Sequence, residues 1–361
     1  MTREDLLRLA AGSGLPVLDL SLGVPADPPP LLAGPVPPPA PAAYPASAGS
    51  DALRAAAAGY LHRRFGVRVP AEAVAACVGT KEFISTLPLF LREIEPDAGR
   101  DTVLIPALCY PTYEYGARLA GLRVHRVPVD GGLRMRLDLL PPAVVSRALC
   151  LWVNSPANPT GTVEPLDRIA AWGRRRGVPV LSDEAYTEAT WVHAPRTALA
   201  GGLSGVLAVH SLSKRSNAPG LRVGFYAGDP RLVAQLVPRR RAAGLMAGAS
   251  AQARAAVLLA DDVHAEERRA LNARRVAGLV EVLGRAGLPC RHPGGGLFVW
   301  VPAPGGDGAA FARTLAGTAG LVVMPGAEYG PGGCGHVRVA AVLDADAVAP
   351  RLALLRQPAR T

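Results

Sequence analysis

The sequence predicts an α/β protein, with a mainly parallel sheet covered by helices on both faces and a smaller α+β domain attached. Three observations predict it. Short apolar runs alternate with helical segments through the middle of the chain, the pattern of a parallel sheet wound with crossovers. The runs are apolar throughout, as strands buried on both faces are. The last hundred residues then change character, with one long helical stretch followed by strand-like runs. At 361 residues the chain exceeds one usual domain. We expect an N-terminal arm with part of the small domain at 1–44, a large domain at 45–255 and a small C-terminal domain at 256–361.

In chain order, the stretch from Pro25 to Pro45 is so rich in proline that neither a regular helix nor a central strand can form. Its apolar content points to an ordered arm laid across another surface, with a disordered linker as the alternative. DALRAAAAGYLHRRFG follows as a helix, with Asp51 near its start and Gly66 at its end. Strands are expected at TVLIP (from Thr102), ALCLWVN (from Ala148), VPVLSD (from Val178), VLAVHS (from Val206) and RVGFYAG (from Arg222). Helices such as EPLDRIAAWGRRRG and PRLVAQLVPRRRAAG separate most of them. VLAVHS and RVGFYAG are too close for a helical crossover, so one of the two is expected to run antiparallel. The C-terminal part reads as a long helix through HAEERRALNARRVAGLVEVLGRAG, a strand in GGGLFVWVP, a helix near FARTLAG, and strands at LVVMP and HVRVA.

Composition excludes several classes. No apolar run approaches the roughly 20 residues of a membrane helix, and MTREDLLRLAAGSG lacks the apolar centre of a signal peptide. A cytoplasmic location is the expectation. Cys77, Cys109, Cys150, Cys290 and Cys334 form no CxxC, and the seven histidines show no HExxH or HxH spacing. Reduced thiols and no metal are therefore expected. The net charge of +10 raises nucleic acid as a partner, but the arginines are dispersed and no aromatics interleave them as a stacking platform. Solvated helix faces account for that charge, and no nucleic-acid or membrane partner is expected.

The chemistry-bearing residues fall at strand ends, where open α/β sheets bind ligands. The chain has two lysines among 39 basic Lys and Arg residues, and one of them, Lys214, sits in SLSKRSN. A lysine amine can lose its proton and add to a carbonyl; a guanidinium cannot. VGTKEF turns through Gly79, Thr80 and Lys81 into a helix whose amides could hold a phosphate, or it is simply a helix cap. Tyr110 stands at a strand exit before Pro111, and Asn154 and Asn158 sit in NSPANPTG, where an asparagine before proline is also a common turn residue. Asp183 closes an apolar strand with Tyr186 three residues on, and Ser211, Ser213, Lys214 and Arg222 complete the set. These are the parts of a pyridoxal-phosphate site: an amine for the aldehyde, hydroxyls, amides and an arginine for the phosphate, an aromatic face, and an acid for the ring nitrogen.

Through YPASAGSDALRAA, GTKE, YPTYE, NSPANPTG, SDEAY, SLSKRSN-x4-LRVGF, GGGLFVW and HVRVA the chain resembles the fold-type I pyridoxal-phosphate aminotransferases of class I/II. Within them, its HSLSKRSN and LCYPTYE segments are most similar to actinobacterial succinyldiaminopimelate aminotransferases. The resemblance implies a seven-stranded sheet, pyridoxal 5'-phosphate as cofactor, amino-acid and oxo-acid substrates, and a homodimer with shared active sites. It implies Lys214 as Schiff-base lysine and proton shuttle, Asp183 on the pyridine nitrogen, and Tyr186 and Asn158 on the phenolic oxygen. Tyr110 would stack on the ring, and Thr80, Lys81 (by its main chain), Ser211, Ser213 and Arg222 would surround the phosphate, beside Gly79. Tyr44 would reach the neighbouring subunit's phosphate, Arg338 would clamp the substrate α-carboxylate, and Gly23 would add a backbone contact there. The chain departs from the pattern in NAPGLR and in its short, proline-rich arm.

Transamination between glutamate and an N-succinyl-diaminopimelate-like oxo acid is the reading these residues favour. A lyase, cyclase or oxidase of specialised metabolism would use the same residues. A non-catalytic sensor of the kind fused to DNA-binding domains is disfavoured because the pattern begins by residue 20. Spacing alone assigns no second arginine to a distal carboxylate.

Overall fold

The computed structural model describes residues 2–30, 43–95 and 99–356. Much of the proline-rich arm, residues 31–42, lies outside the described residues. Helix α1 (Arg3–Ala11) opens the chain, with Thr2 and Asp5 exchanging hydrogen bonds as a capping box, and strand β1 (Leu18–Asp19) follows. Ser50 caps α2 (Asp51–Phe65), which stops at Gly66 in the left-handed conformation. Then come β2 (Val74–Cys77), α3 (Thr80–Ile94), β3 (Thr102–Pro106), α4 (Thr112–Leu119), β4 (Arg123–Val127), α5 (Pro142–Ser146) and β5 (Ala148–Asn154). The large sheet is finished by α6 (Leu166–Arg176), β6 (Val180–Asp183), β7 (Val206–Ser211), α7 (Leu212–Arg215) and β8 (Gly224–Gly228). Helices α8 (Pro230–Ala242), α9 (Ala249–Ala260) and the 23-residue α10 (Val263–Arg285) lead to β9 (Phe298–Pro302), α11 (Gly308–Ala319), β10 (Leu321–Val322), β11 (Met324–Pro325), β12 (His336–Ala340) and α12 (Ala345–Ala353).

The seven-stranded sheet has the order β2-β8-β7-β6-β5-β3-β4. Strands β7, β6, β5, β3 and β4 are mutually parallel, and β8 runs antiparallel to both its neighbours. The short link between VLAVHS and RVGFYAG thus makes the expected reversal. Every residue of β5 is buried; Leu151 and Val153 join the core on one face, and Cys150 and Trp152 the core on the other. That two-sided burial explains why these strands read as continuous apolar runs.

A second layer forms around the antiparallel order β11-β12-β9. Its core takes Leu279 and Leu283 from α10, Phe311 and Leu315 from α11, and Leu6, Ala10 and Leu20 from the amino-terminal segment. Strand β1 pairs in parallel with β10, Leu18 opposite Leu321. The run LVVMP is a correction to the sequence reading. It splits at Val323 into two short strands, because Leu321–Val322 pairs with β1 while Met324–Pro325 pairs with β12. Two other strands begin later than expected, at Val180 and Gly224. Among the described residues no helix is long and apolar enough to cross a membrane.

Candidate active site

The carboxyl ends of β3, β5, β6 and β7 and the start of α3 converge on a cavity of about 380 Å³. Lys214 lies one turn beyond β7, in a short helix whose cap is Ser211, the hydroxyl accepting from the Ser213 amide at 3.1 Å. The Lys214 Nζ donates to the Gly23 carbonyl at 2.6 Å. Burial, and then the charge of Arg338, lowers the amine's pKa from 10.5 to about 8. An appreciable fraction is therefore uncharged near neutral pH, which is what a nucleophilic amine needs. Position 23 must be glycine, since a Cβ there would lie 2.7 Å from Cζ of Phe298.

Asp183 ends β6, 5% exposed. It accepts from the Tyr113 hydroxyl at 2.7 Å and from the Ala185 amide at 3.1 Å. Burial raises its pKa and these two donors oppose the rise. No cation pairs with it among the described residues, so it stands as a buried carboxylate suited to a cationic group in the cavity. Tyr113 stacks on Trp152 with centroids 5.1 Å apart and meets Tyr110 edge-on at 6.0 Å. Tyr186, buried, meets Phe298 edge-on at 5.6 Å. Asn154 is a brace: its Nδ2 donates to the Asp183 carbonyl at 2.8 Å and its Oδ1 accepts the Asn158 amide at 2.7 Å.

At the other end of the cavity, α3 starts at Gly79 with no side-chain cap. Thr80, Lys81, Ser211, Ser213 and Arg222 all line this end. Gly79 is not itself part of the wall. A Cβ there would lie 2.5 Å from Nη2 of Arg222, so the glycine lets the guanidinium sit against the helix start. Uncapped first-turn amides, three hydroxyls and a guanidinium make an anion cradle.

Arg338, on β12, is 5% exposed. Its Nη1 donates to Asn158 Oδ1 at 2.8 Å, its Nη2 donates to the Ser21 carbonyl, and its Nε is buried without a partner. The guanidinium lies over the rings of Phe298, 3.9 Å to the centroid, and Tyr329, 4.9 Å. Burial lowers its pKa, and no carboxylate pairs with it among the described residues. The arrangement suits an incoming carboxylate.

The structure thus brings all the predicted site residues to one cavity except Gly79, just behind it, and Tyr44, which is 92% exposed and lines no part of it. Sequence reasoning missed Tyr113, whose signal was its place in YPTYE, three residues after Tyr110. It also missed Arg3, Leu22, Val24, Met324, Glu328 and Tyr329, which line the cavity from elements that no local motif joins to it.

The residues present fit pyridoxal phosphate: a depressed amine, a buried acid 31 residues earlier in the chain, and an anion cradle share one cavity. Fold and site together define a transaminase. The family described as "Aminotransferase class I and II" matches residues 40–350, and the chain belongs to it; the family uses pyridoxal phosphate. A probable aminotransferase of Mycobacterium tuberculosis is 40% identical over 94% of this chain and 80% of its own length. The 4-dedimethylamino-4-oxo-anhydrotetracycline transaminase of Streptomyces rimosus is 42% identical over 82% and 80%. Among solved structures, a probable N-succinyldiaminopimelate aminotransferase of Thermus thermophilus superposes with a TM-score of 0.84 at 25% identity, covering 98% of each chain.

Proposed function

We propose that this aminotransferase binds pyridoxal phosphate in the cavity around Lys214 and moves an amino group between glutamate and an acidic oxo acid of the N-succinyl-diaminopimelate kind. The observation that carries the reading is the Lys214 amine, with its pKa lowered to about 8, in one cavity with a buried acid, an anion cradle and a buried arginine. When bound, the cofactor supplies an aldehyde and an electron-accepting ring. Lys214 holds that aldehyde and carries protons at Nζ, and the Gly23 carbonyl orients the amine. Asp183 keeps positive charge on the ring nitrogen; the Tyr113 hydroxyl aims its carboxylate. Tyr110 covers the ring, and Tyr186 with the Nδ2 of Asn158 donates to the phenolic oxygen. Thr80, Ser211, Ser213, Arg222 and the main chain at Lys81 hold the phosphate, with Gly79 making room for Arg222. Arg338 grips the substrate α-carboxylate, with the Gly23 main chain beside it.

Supporting the acidic acceptor are the likeness to the Thermus thermophilus protein and the similar HSLSKRSN and LCYPTYE segments. The exposed Tyr44 suits a residue that completes the site of a second copy, so we propose a cytoplasmic homodimer. Domains at 1–44, 45–255 and 256–361 are part of the same reading, supported by the separate core that the amino-terminal segment shares with the C-terminal layer. The test is borohydride reduction of the loaded enzyme, peptide mapping, and glutamate turnover. The pyridoxyl group should map to Lys214, and glutamate should yield one 2-oxoglutarate per site without a second substrate. A label on Lys81, or turnover by Lys214→Arg, would overturn the site; rapid use of another oxo acid with the succinylated acceptor ignored would overturn the substrate.

A further inference from the structure

Arg3 belongs to no motif, yet its side chain lines the active-site cavity. Its Nε donates to the Ser21 hydroxyl at 2.8 Å and its Nη2 to Asp19. That fixes one edge of the guanidinium. The other edge is left with Nη1, which has no protein partner among the described residues. Ser21 joins two arginines: its hydroxyl accepts from Arg3, and its carbonyl accepts from Arg338. Both guanidiniums are therefore held by one residue, and both line the cavity. Asp19 meets Arg3 through Oδ2 and accepts the Ser21 amide and hydroxyl at Oδ1, so the pair occupies one edge of the guanidinium and leaves Nη1 to a further acceptor. Leu22 and Val24, 44% and 42% exposed, line the cavity beside this pair and offer apolar cover to a short methylene chain.

We propose that Arg3 binds a second carboxylate of the substrate, so that the cavity selects dicarboxylic amino and oxo acids. This rests on the reading of Arg338 as the α-carboxylate clamp. The free Nη1/Nη2 edge of Arg3 presents the parallel donors that a carboxylate accepts, and the spacing between the arginines sets the length of diacid preferred. Arg3 thereby acts as a specificity-determining residue contributed by α1. Asp183 and Glu328 are the carboxylates lining the cavity. Asp183 is assigned to the ring, and exposed Glu328 is the group that would favour a distal ammonium instead.

The experiment measures equilibrium binding to the loaded enzyme by calorimetry. The probes are glutarate, adipate and pimelate, each against the linear monocarboxylate of equal carbon number. In the wild-type enzyme the best diacid should bind about 10- to 100-fold tighter than its monoacid, the range for losing one charged hydrogen-bonding partner. In Arg3→Gln that ratio should fall below about threefold, with Arg3→Lys between the two. The glutamate-to-glutamine ratio of kcat/KM should fall in step. A ratio unchanged in Arg3→Gln, or no diacid preference in the wild type, overturns the proposal. So does a preference for a distal ammonium that disappears in Glu328→Gln. Should Arg3→Gln not fold, Arg3→Lys decides alone: an undiminished diacid preference there refutes a role for the fork. A diacid preference without any amino transfer from glutamate would instead refute the substrate reading of the previous section and leave Arg3 standing.

Discussion

Replacing Gly79 by alanine separates the phosphate cradle from everything else in the site. The backbone there has φ +76° and ψ 149°, a region that only glycine enters freely, so alanine costs about 1–3 kcal/mol in folding. The added Cβ would lie 2.5 Å from Nη2 and 2.9 Å from Cζ of Arg222, against a comfortable contact of roughly 3.5 Å. The guanidinium must retreat by about 1 Å. Arg222 is exposed and its guanidinium is held on the protein by one bond, Nη1 to the Pro219 carbonyl at 3.1 Å, so the flexible side chain can swing outward. Arg222 should therefore leave the start of α3. Losing a charged hydrogen-bonding partner costs about 1.5–3 kcal/mol, or roughly 10- to 150-fold in the affinity for pyridoxal phosphate. Titration of the apo protein by absorbance gives that number, and urea unfolding of the apo protein reports the backbone strain separately. The double variant Gly79→Ala/Arg222→Ala should bind the cofactor no more weakly than Arg222→Ala alone, since both act through one side chain. A Kd for Gly79→Ala within twofold of wild type, or fully additive losses in the double variant, would show that the glycine does not serve Arg222.

The parts of the site that were legible in the sequence are those tied to the ends of buried parallel strands. Asn154, Asp183 and Ser211 each close an apolar run, and a parallel sheet delivers such ends to one edge. The helix start at Gly79 was legible for the same local reason. What was hidden depends on packing between distant segments. Strand β4, RVHRV, carries three polar residues in five and sits at the sheet edge, only Val127 fully buried, so no apolar run announced it. Strand β2 is four residues of VAAC, too short to stand out. Arg3 meets the cavity only because Leu6 and Ala10 pack α1 into the second core and because Ser21 bridges it to Arg338. Tyr113 was visible within YPTYE, but its partner Asp183 is 70 residues away. The proposed role of Tyr44 needs a second copy of the chain, and within one chain it is an exposed side chain outside the cavity.

Asp183→Asn should keep the fold and the bound cofactor but lower single-turnover rates about 100-fold or more, the scale for removing a preorganised charge from a site; an unchanged rate would mean the acid is elsewhere. Arg338→Lys should weaken glutamate binding about 10- to 100-fold with little change in the absorbance of the bound cofactor, and equal losses in cofactor affinity would refute its assignment to substrate. The last prediction is one of pH and stability. Glu164 is 8% exposed; its Oε1 accepts the Met135 amide at 3.0 Å, while its Oε2 is buried without a partner. Burial pushes its pKa from the ordinary 4.5 up to about 7, against the pull of the Met135 amide and the Arg134 charge. A folded pKa above the unfolded one means that the native chain holds a proton the unfolded chain has released. Stability from this group is full below about pH 4.5, falls as pH rises, and is lost once pH passes about 7. At 1.36 kcal/mol per unit the loss is at most about 3 kcal/mol. Glu164→Gln keeps an acceptor for the Met135 amide and cannot ionise, so it should be more stable than wild type at pH 8 and converge with it near pH 5. Glu184, also pushed to about 7 by burial, is present in both proteins and cancels in the difference. Urea unfolding at pH 5, 6.5 and 8 measures the gap. A gap that does not widen with pH would mean that Glu164 is solvated in the native protein, and that the contacts around Met135 do not bury it.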